Sequence, residues 1–199
     1  MTATVQVGST SQTLAPVMAR VMRIAERVDS ARAAALAMPV GQGALLPTAP
    51  GATVTYVWVM DPAQLKGARA VSGTAPAFSV RYRDAPGLNP DDLSPAIVHV
   101  IGSAAGPRVI GATRGRVDQA TRAQADWDLE RELKHDVIAS KVEIAPRGVA
   151  RITPIAALPP GDYALVMRPT GNKKFAGSSV LDEAEEGRVF GLVWAFVVK

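Results

Sequence analysis

The sequence lacks cysteine and is poor in the residue types from which reactive sites are usually built. None of its 199 residues is a cysteine, so disulfide bonds and thiolate metal sites are excluded. It has two histidines, which leaves few residues able to form a nucleophile and its base. The phosphate-loop pattern G-x-x-x-x-G-K-[ST] and the hydrolase pattern G-x-S-x-G are both absent. We therefore expect no enzymatic activity, no catalytic or metal-binding residues and no cofactor.

Long apolar runs and aromatic side chains are also scarce. The longest apolar run, "VFGLVWAFVV", is about half of the roughly 20 residues that a membrane helix requires. No signal-peptide pattern opens the chain, so we expect either a cytoplasmic protein or the mature form of an exported one. Aromatic residues make up 5% of the chain, which is too few for base stacking along a nucleic acid. The net charge of +4 is weak for this length, and no nucleic-acid partner is expected.

What the sequence does contain is an alternation of apolar and polar residues from about Val54 onward. With 48% hydrophobic and 20% charged residues, the chain has the composition of an ordinary folded domain. Segments with strand character are separated by turn signals, which predicts an antiparallel β-sandwich over residues 53–199. These segments are "VTYVWVM", "AFSVRY", "AIVHVI", "RVIGAT", "VIASKVEIA" and "GVARITPI".

The remaining segments predict an arm and an insertion. Residues 3–7 suggest a short strand, and apolar residues spaced three and four apart predict an amphipathic helix over residues 14–38. The Pro- and Gly-rich residues 39–53 suggest a linker, so residues 1–52 are interpreted as an arm. The polar segment 114–136 is expected to form a partly helical insertion.

The stretch "LPPGDY" predicts a corner immediately before a strand. Pro159 and Pro160 cannot donate hydrogen bonds to a sheet, so the preceding strand ends there. Gly161 supplies backbone freedom. Tyr163 is expected to turn its hydroxyl back to the backbone of the corner, as in immunoglobulin-like sandwiches.

The last strand, "RVFGLVWAFVVK", has a bulky apolar face and a smooth apolar face. Trp194 and Phe196 belong to the bulky face, which we expect to lie between two sheets. Val193 and Val197 belong to the smooth face, which should not remain in water. We expect the helix over residues 14–38 to cover it. Self-association through that helix is an alternative use of its apolar stripe.

The segments "LPPGDYALVMRP", "VFGLVWAFVV" and "APAFSVRYRDAPGLNPDDLSPAIVHVI" resemble a loose group of uncharacterised, mostly exported bacterial proteins. Members of that group carry L-x-P-G-E-Y-A-L near the C-terminus, followed by a final strand with an aromatic residue. The resemblance covers roughly residues 55–199. It implies an immunoglobulin-like sandwich and a periplasmic or secreted location, and it brings no catalytic residues.

Two segments are candidate sites. The loop over about 169–188 contains Lys173, Lys174 and Phe175, which could form a basic binding surface with an exposed aromatic ring. The acids and His135 within residues 126–136 could instead hold a metal and serve a metal-dependent or hydrolytic enzyme. The favoured hypothesis is a non-enzymatic protein-binding or structural module of the bacterial envelope. The alternatives are that enzyme and a subunit that self-assembles through the 14–38 helix.

Overall fold

The computed structural model describes residues 2–24, 38–39, 53–72, 76–81, 93–100, 108–116, 137–145, 148–169 and 192–199. The described chain is mainly β. Its strands are β1 (Thr2–Val7), β2 (Thr10–Leu14), β3 (Pro16–Met18), β4 (Arg20–Ile24), β5 (Met38–Pro39), β6 (Thr53–Met60), β7 (Arg69–Val71), β8 (Ala77–Arg81), β9 (Leu93–His99), β10 (Arg108–Arg116), β11 (Ser140–Ala145), β12 (Val149–Pro154), β13 (Gly161–Pro169) and β14 (Leu192–Val198). A short helix, α1 (Pro62–Lys66), follows β6.

The strands form three sheets. The first sheet has the order β11-β12-β8-β1-β2, and all of its neighbours are antiparallel. The central sheet has the order β3-β14-β13-β9, with β7 added parallel to β14. The third sheet has the order β10-β6-β4-β5. The strand segments predicted from alternation in residues 53–199 are confirmed by this pairing.

The first and central sheets pack face to face around one core. Every second residue of β1, β8 and β12 is buried toward the central sheet, which supplies Tyr163, Leu165, Trp194 and Phe196. The ring centroids of Phe78 on the first sheet and Phe196 on the central sheet lie 4.7 Å apart. Burying each of these large rings contributes about 2 to 3 kcal/mol. The bulky face of the last strand therefore lies between two sheets, as its side-chain sizes predicted.

The opposite face of the central sheet is also buried, and the described residues that cover it come from strands and from one short helix. Val193 and Ala195 of the smooth face pack with Met60, Leu65 and Ile110, which come from the ends of β6 and β10 and from α1. The face is covered at Val193 and Ala195, as expected, while Val197 is half-buried. The described residues of the helix expected to cover it, 14–24, form strands instead. Asp61 is the N-cap of the short helix α1. It accepts a hydrogen bond from the backbone N–H of Ala63 and forms a capping box with Gln64.

The helix predicted over residues 14–38 is wrong for residues 14–24, which form the end of β2, then β3 and β4, and for Met38, which lies in β5. The chain leaves the first sheet at Ala15 and the central sheet at Ala19, so one extended segment contributes strands to all three sheets. Which residues of the segment point into a core changes when the chain passes from one sheet to the next. Leu14 packs in the core of the first sheet, and Val17 packs against the opposite face of the central sheet. Their spacing of three therefore resembles the periodicity of a helix. Residues 25–37 lie outside the described residues.

Residues 2–24, predicted to belong to an arm, are thus part of the sheets. β1 pairs with β8 on one side and with β2 on the other. Gly8, in the two-residue turn between β1 and β2, has a φ of +59°, a conformation that favours glycine. Most of the predicted linker, 40–52, and the predicted insertion beyond Arg116 lie outside the described residues. Within the described part of the chain, no helix has the length and apolar character needed to cross a membrane.

Candidate functional site

The predicted corner lies between β12 and β13. The Tyr163 hydroxyl donates a hydrogen bond of 2.8 Å to the carbonyl oxygen of Pro159. Its ring is 2% exposed and stacks on Phe196, with 5.5 Å between centroids and 15° between planes. Pro160 is exposed and lies immediately before β13. The hydroxyl therefore fixes the backbone of the corner to a ring that is itself fixed in the core.

Gly161 contributes to the corner in a way that the sequence did not reveal. Its φ is not in the left-handed region, so the expected backbone freedom is not what this position requires. A Cβ at this position would lie 3.3 Å from Nε2 of His99 and 3.5 Å from Cε2 of Tyr163. A side chain at this position would require the exposed His99 ring, which lies 5.3 Å from the Tyr163 ring, to shift by a few tenths of an ångström.

The ionisation of Tyr163 fits a structural role. Burial raises the pKa of its hydroxyl above the ordinary value. A raised pKa keeps the hydroxyl protonated at neutral pH, so it remains the donor to Pro159 and is a poor nucleophile. The side chain therefore serves the corner.

The other sites predicted from sequence fall outside the described residues. This applies to the loop with Lys173, Lys174 and Phe175, and to the segment 126–136 with His135. Among the residues that the structure describes, no group of three or more histidine or acidic side chains is arranged to hold a metal ion.

A small cleft lies beside Ala195, where the edge of β14 passes from β3 to β7. It has a volume of about 240 Å³ and is lined by Thr13, Ala15, Val17, Gln64, Gly67, Ala68, Arg69 and Ala195. This is below the usual size of small-molecule sites. The Gln64 amide is already occupied, because its oxygen accepts from the N–H of Asp61 and its nitrogen donates to the carbonyl of Met18. Of the polar residues in its lining, Gln64 is therefore held by the protein itself.

The outer edge of the first sheet carries two of the four exposed large apolar side chains of the described chain, the others being Met18 and Ile155. No described strand pairs with β11 on the side away from β12. Val142 and Ile144 are 36% and 64% exposed, although large apolar side chains at such positions normally pack against another layer. They lie opposite the buried residues Ile152 and Ala150, so they occupy the core-facing side of the sheet where it extends beyond its cover.

The backbone of β11 also presents hydrogen-bonding groups outward. The N–H of Ile155 donates to the carbonyl of Ala139 at 2.9 Å, and the pairing of β11 with β12 continues in the same register. Alternate residues of an antiparallel pair direct their N–H and C=O groups to the same side. Lys141 and Glu143 therefore bond to β12, while Val142 and Ile144 point their backbone groups away from the sheet.

The second face of β11 carries two opposite charges. Lys141 and Glu143 form an ion pair of 2.6 Å on the surface. The hydrogen bond and charge of Lys141, followed by the charge of Arg151, lower the pKa of Glu143. Glu143 is thus ionised at neutral pH. We define Ser140–Ala145, with this charged face and the apolar face of Val142 and Ile144, as the β11 edge.

Sequence reasoning identified β11 as a strand but missed that it is an edge. The alternation of apolar and charged residues in "SKVEIA" is typical of a half-buried strand at any place in a sheet. Its position depends on which distant segments pair with it, which one sequence does not reveal. The available signal was the charge pattern, since edge strands often carry lysine.

The comparisons identify no relative. No protein-family model matches the chain, and no curated protein or solved structure is significantly similar to it.

Proposed function

We propose that this protein is a non-enzymatic protein-binding module of the bacterial envelope, built on an immunoglobulin-like sandwich, and that it binds by accepting an extended strand at the β11 edge. One observation carries this proposal. The β11 edge combines outward backbone groups with exposed apolar side chains, which is the surface required for strand addition.

The strand order supports the immunoglobulin-like class. In such domains one sheet has the order A-B-E-D and the other has C-F-G. If β1, β8, β9, β11, β12, β13 and β14 are assigned to A through G, the first sheet contains A-B-E-D and the central sheet contains C-F-G. The bond from Tyr163 to Pro159 lies between E and F, where this class carries its tyrosine corner.

The same assignment accounts for the third sheet as an addition to the sandwich. β4, β5 and β6 come from the segment between A and B, while β10 comes from the segment between C and D. Two insertions thus pair with each other beside the central sheet. Arg108 of β10 and Asp162 of β13 form an ion pair of 3.7 Å between these sheets.

The edges of the sandwich differ in how they are protected. The outer strand at the opposite end of the first sheet, β2, presents mainly threonine, serine and glutamine. On the outer side of β14, both β3 and β7 pair with it. At β9, Val137 forms a bridge with Val98, and the N–H of Ile138 donates to the carbonyl of Ile97. Among the described edges of the proposed sandwich, the β11 edge is therefore the one that combines unpaired backbone groups with exposed apolar side chains.

The location in the envelope is supported by the resemblance to exported bacterial proteins described above. A sandwich that binds by strand addition suits that location, because main-chain hydrogen bonds supply affinity for varied sequences while side-chain pockets supply selectivity.

Amide hydrogen exchange in dilute protein tests whether the β11 edge is open. We expect the N–H groups of Val142 and Ile144 to exchange rapidly, because they point outward. The N–H groups of Lys141 and Glu143, which bond to β12, should be protected. Equal protection of all four amides at the lowest measurable concentration would mean that another part of the chain covers the edge, and the proposed binding mode would be wrong.

A further inference from the structure

We infer that the strand accepted at the β11 edge is β11 of a second copy of this chain, paired antiparallel across a two-fold axis at Val142. This inference rests on the proposed function, since it takes the strand-addition site as given and names its occupant. Two-fold pairing requires the edge to be complementary to itself, and the sequence of β11 meets that condition.

The charges on β11 select this register. With the two-fold axis at Val142, each Lys141 lies opposite Glu143 of the second copy. If the axis moves to Lys141, two lysines face each other, and if it moves to Glu143, two glutamates do. Opposite charges directly across an antiparallel pair are favourable and like charges are unfavourable. The charge pattern therefore favours pairing at Val142 over both neighbouring registers.

This arrangement also buries the apolar face of β11. Val142 meets Val142 of the second copy, and Ile144 lies diagonally next to it. The exposed Val142 and Ile144 side chains of the two copies form one continuous apolar row. The pairing removes much of their exposed area from water. The pairing thus covers the apolar surface that the sandwich leaves open.

The backbone geometry fits the same register. Residues with outward N–H and C=O groups are Ser140, Val142 and Ile144, and all three have even numbers. With the axis at Val142, the outward groups of Val142 face those of its copy, while Ser140 faces Ile144. Each pair can therefore exchange both hydrogen bonds of an antiparallel ladder.

Lysine on an edge strand usually discourages pairing with other chains. Here Glu143, two residues further along, offsets the repulsion, because it gives the Lys141 of a second copy an opposite charge to pair with. The ion pair between Lys141 and Glu143 of one copy is exposed, with 74% and 56% of the side chains accessible, so exchanging the two such pairs, one in each copy, for two pairs between copies costs little desolvation. The charges repel shifted registers while permitting one, and they act mainly on specificity.

The small size of the edge sets the expected affinity. A six-residue strand buries less surface than a standard protein interface, so we expect a dissociation constant on the order of tens of micromolar. The dimer would form in concentrated protein and dissociate on dilution.

Mixing two charge-reversed variants tests the inference. In K141E both opposed pairs carry like negative charges, and in E143K both carry like positive charges. We expect each variant alone to dimerise about tenfold more weakly than the unchanged protein, because two like-charge pairs replace two opposite ones. An equimolar mixture should dimerise as strongly as the unchanged protein, since every charge then meets its opposite. Sedimentation velocity over a concentration series, with one variant fluorescently labelled, measures this directly.

Two controls separate pairing from general charge effects. The double variant K141E/E143K reverses both members and should restore dimerisation. R81E changes the charge of an exposed residue on β8 by the same amount as K141E and should leave dimerisation unchanged. Both single variants keep the chain positive at neutral pH, so attraction between oppositely charged proteins does not explain recovery in the mixture.

The outcome decides between the two proposals. A monomer at all concentrations, together with rapid exchange of the Val142 and Ile144 amides, overturns the second-copy inference and leaves strand addition by another protein standing. Dimerisation that is unaffected by the charge variants also overturns it, because the interface would then lie elsewhere. Protection of those amides in the monomer overturns both proposals.

Discussion

At the scale of single residues, the corner at Tyr163 shows how one hydrogen bond can fix the path of the chain between two sheets. The hydroxyl reaches back to Pro159, and the ring stacks on Phe196 within the core. Prolines at 159 and 160 have no N–H group to join either strand. The position of β13 relative to β12 is therefore set by a side chain that links the turn to the core.

Replacing Tyr163 with phenylalanine tests the hydroxyl alone. We expect Y163F to lower the free energy of unfolding by about 1 kcal/mol, because the ring packing is retained and one hydrogen bond is lost. Y163A should cost about 3 to 5 kcal/mol, because it also leaves a cavity against Phe196. Urea denaturation measures both. Equal stability of Y163F and the unchanged protein would show that the bond to Pro159 does not hold the corner.

The difference in stability between the unchanged protein and Y163F should also depend on pH. The pKa of Tyr163 is raised in the folded state, whereas an unfolded tyrosine ionises near pH 10. The stability that depends on its protonated form is fully present below about pH 10 and is lost as pH rises through the folded pKa. The difference between the unchanged protein and Y163F should therefore be constant at neutral pH and shrink above about pH 10.

At the scale of elements, β11 has two sets of backbone groups with different roles. The N–H of Glu143 bonds within the sheet to β12, while the N–H of Val142 faces outward. Proline removes an N–H, so its cost depends on which set it enters. We expect E143P to lower the free energy of unfolding by about 3 kcal/mol and V142P to lower it by clearly less.

These proline variants also separate folding from pairing. V142P keeps the ladder with β12 but removes an outward donor at the proposed two-fold axis, so it should fold and fail to dimerise. Denaturation in dilute solution and sedimentation at high concentration provide the two readings. If V142P proves as destabilising as E143P, the outward direction of the Val142 backbone is wrong.

The strands could be predicted from sequence wherever one strand stays within one sheet. β8 alternates buried and partly exposed residues in the simple pattern of a half-buried strand. That alternation was sufficient to predict the strand from the sequence. The segment over residues 14–24 misled the same reasoning, because it changes sheet twice. The spacing of Leu14 and Val17 came from the first of those changes and not from a helical turn.

The corner was predictable because its cause is local, whereas the β11 edge was not. Pro159, Pro160 and Tyr163 lie within five positions of the chain, and their chemistry restricts the backbone directly. The exposure of Val142 and Ile144 depends on how far the central sheet extends beneath them. That extent follows from the pairing of distant segments, and the charges in "SKVEIA" could indicate an edge without showing how far the sheet is covered.

At the scale of the whole molecule, the first sheet has a buried face and an open edge. One face of that sheet forms the core with the central sheet, and its outer edge extends beyond that cover. Pairing at Val142 would continue the sheet from one copy into the next and would bury the uncovered residues. The proposed dimer is thus an extension of the same strand pairing that builds the sandwich.

Oxidation of a single introduced cysteine tests the proposed pairing most directly, because the natural chain contains none. Residues that face each other in a hydrogen-bonded antiparallel pair have Cα atoms about 5.5 Å apart, within the range that a disulfide spans. Position 142 faces its own copy, whereas position 144 faces Ser140. We expect V142C to form a disulfide-linked dimer rapidly under mild oxidation and I144C to do so far more slowly, although Ile144 is the more exposed. Faster dimerisation of I144C than of V142C would contradict the two-fold pairing at Val142.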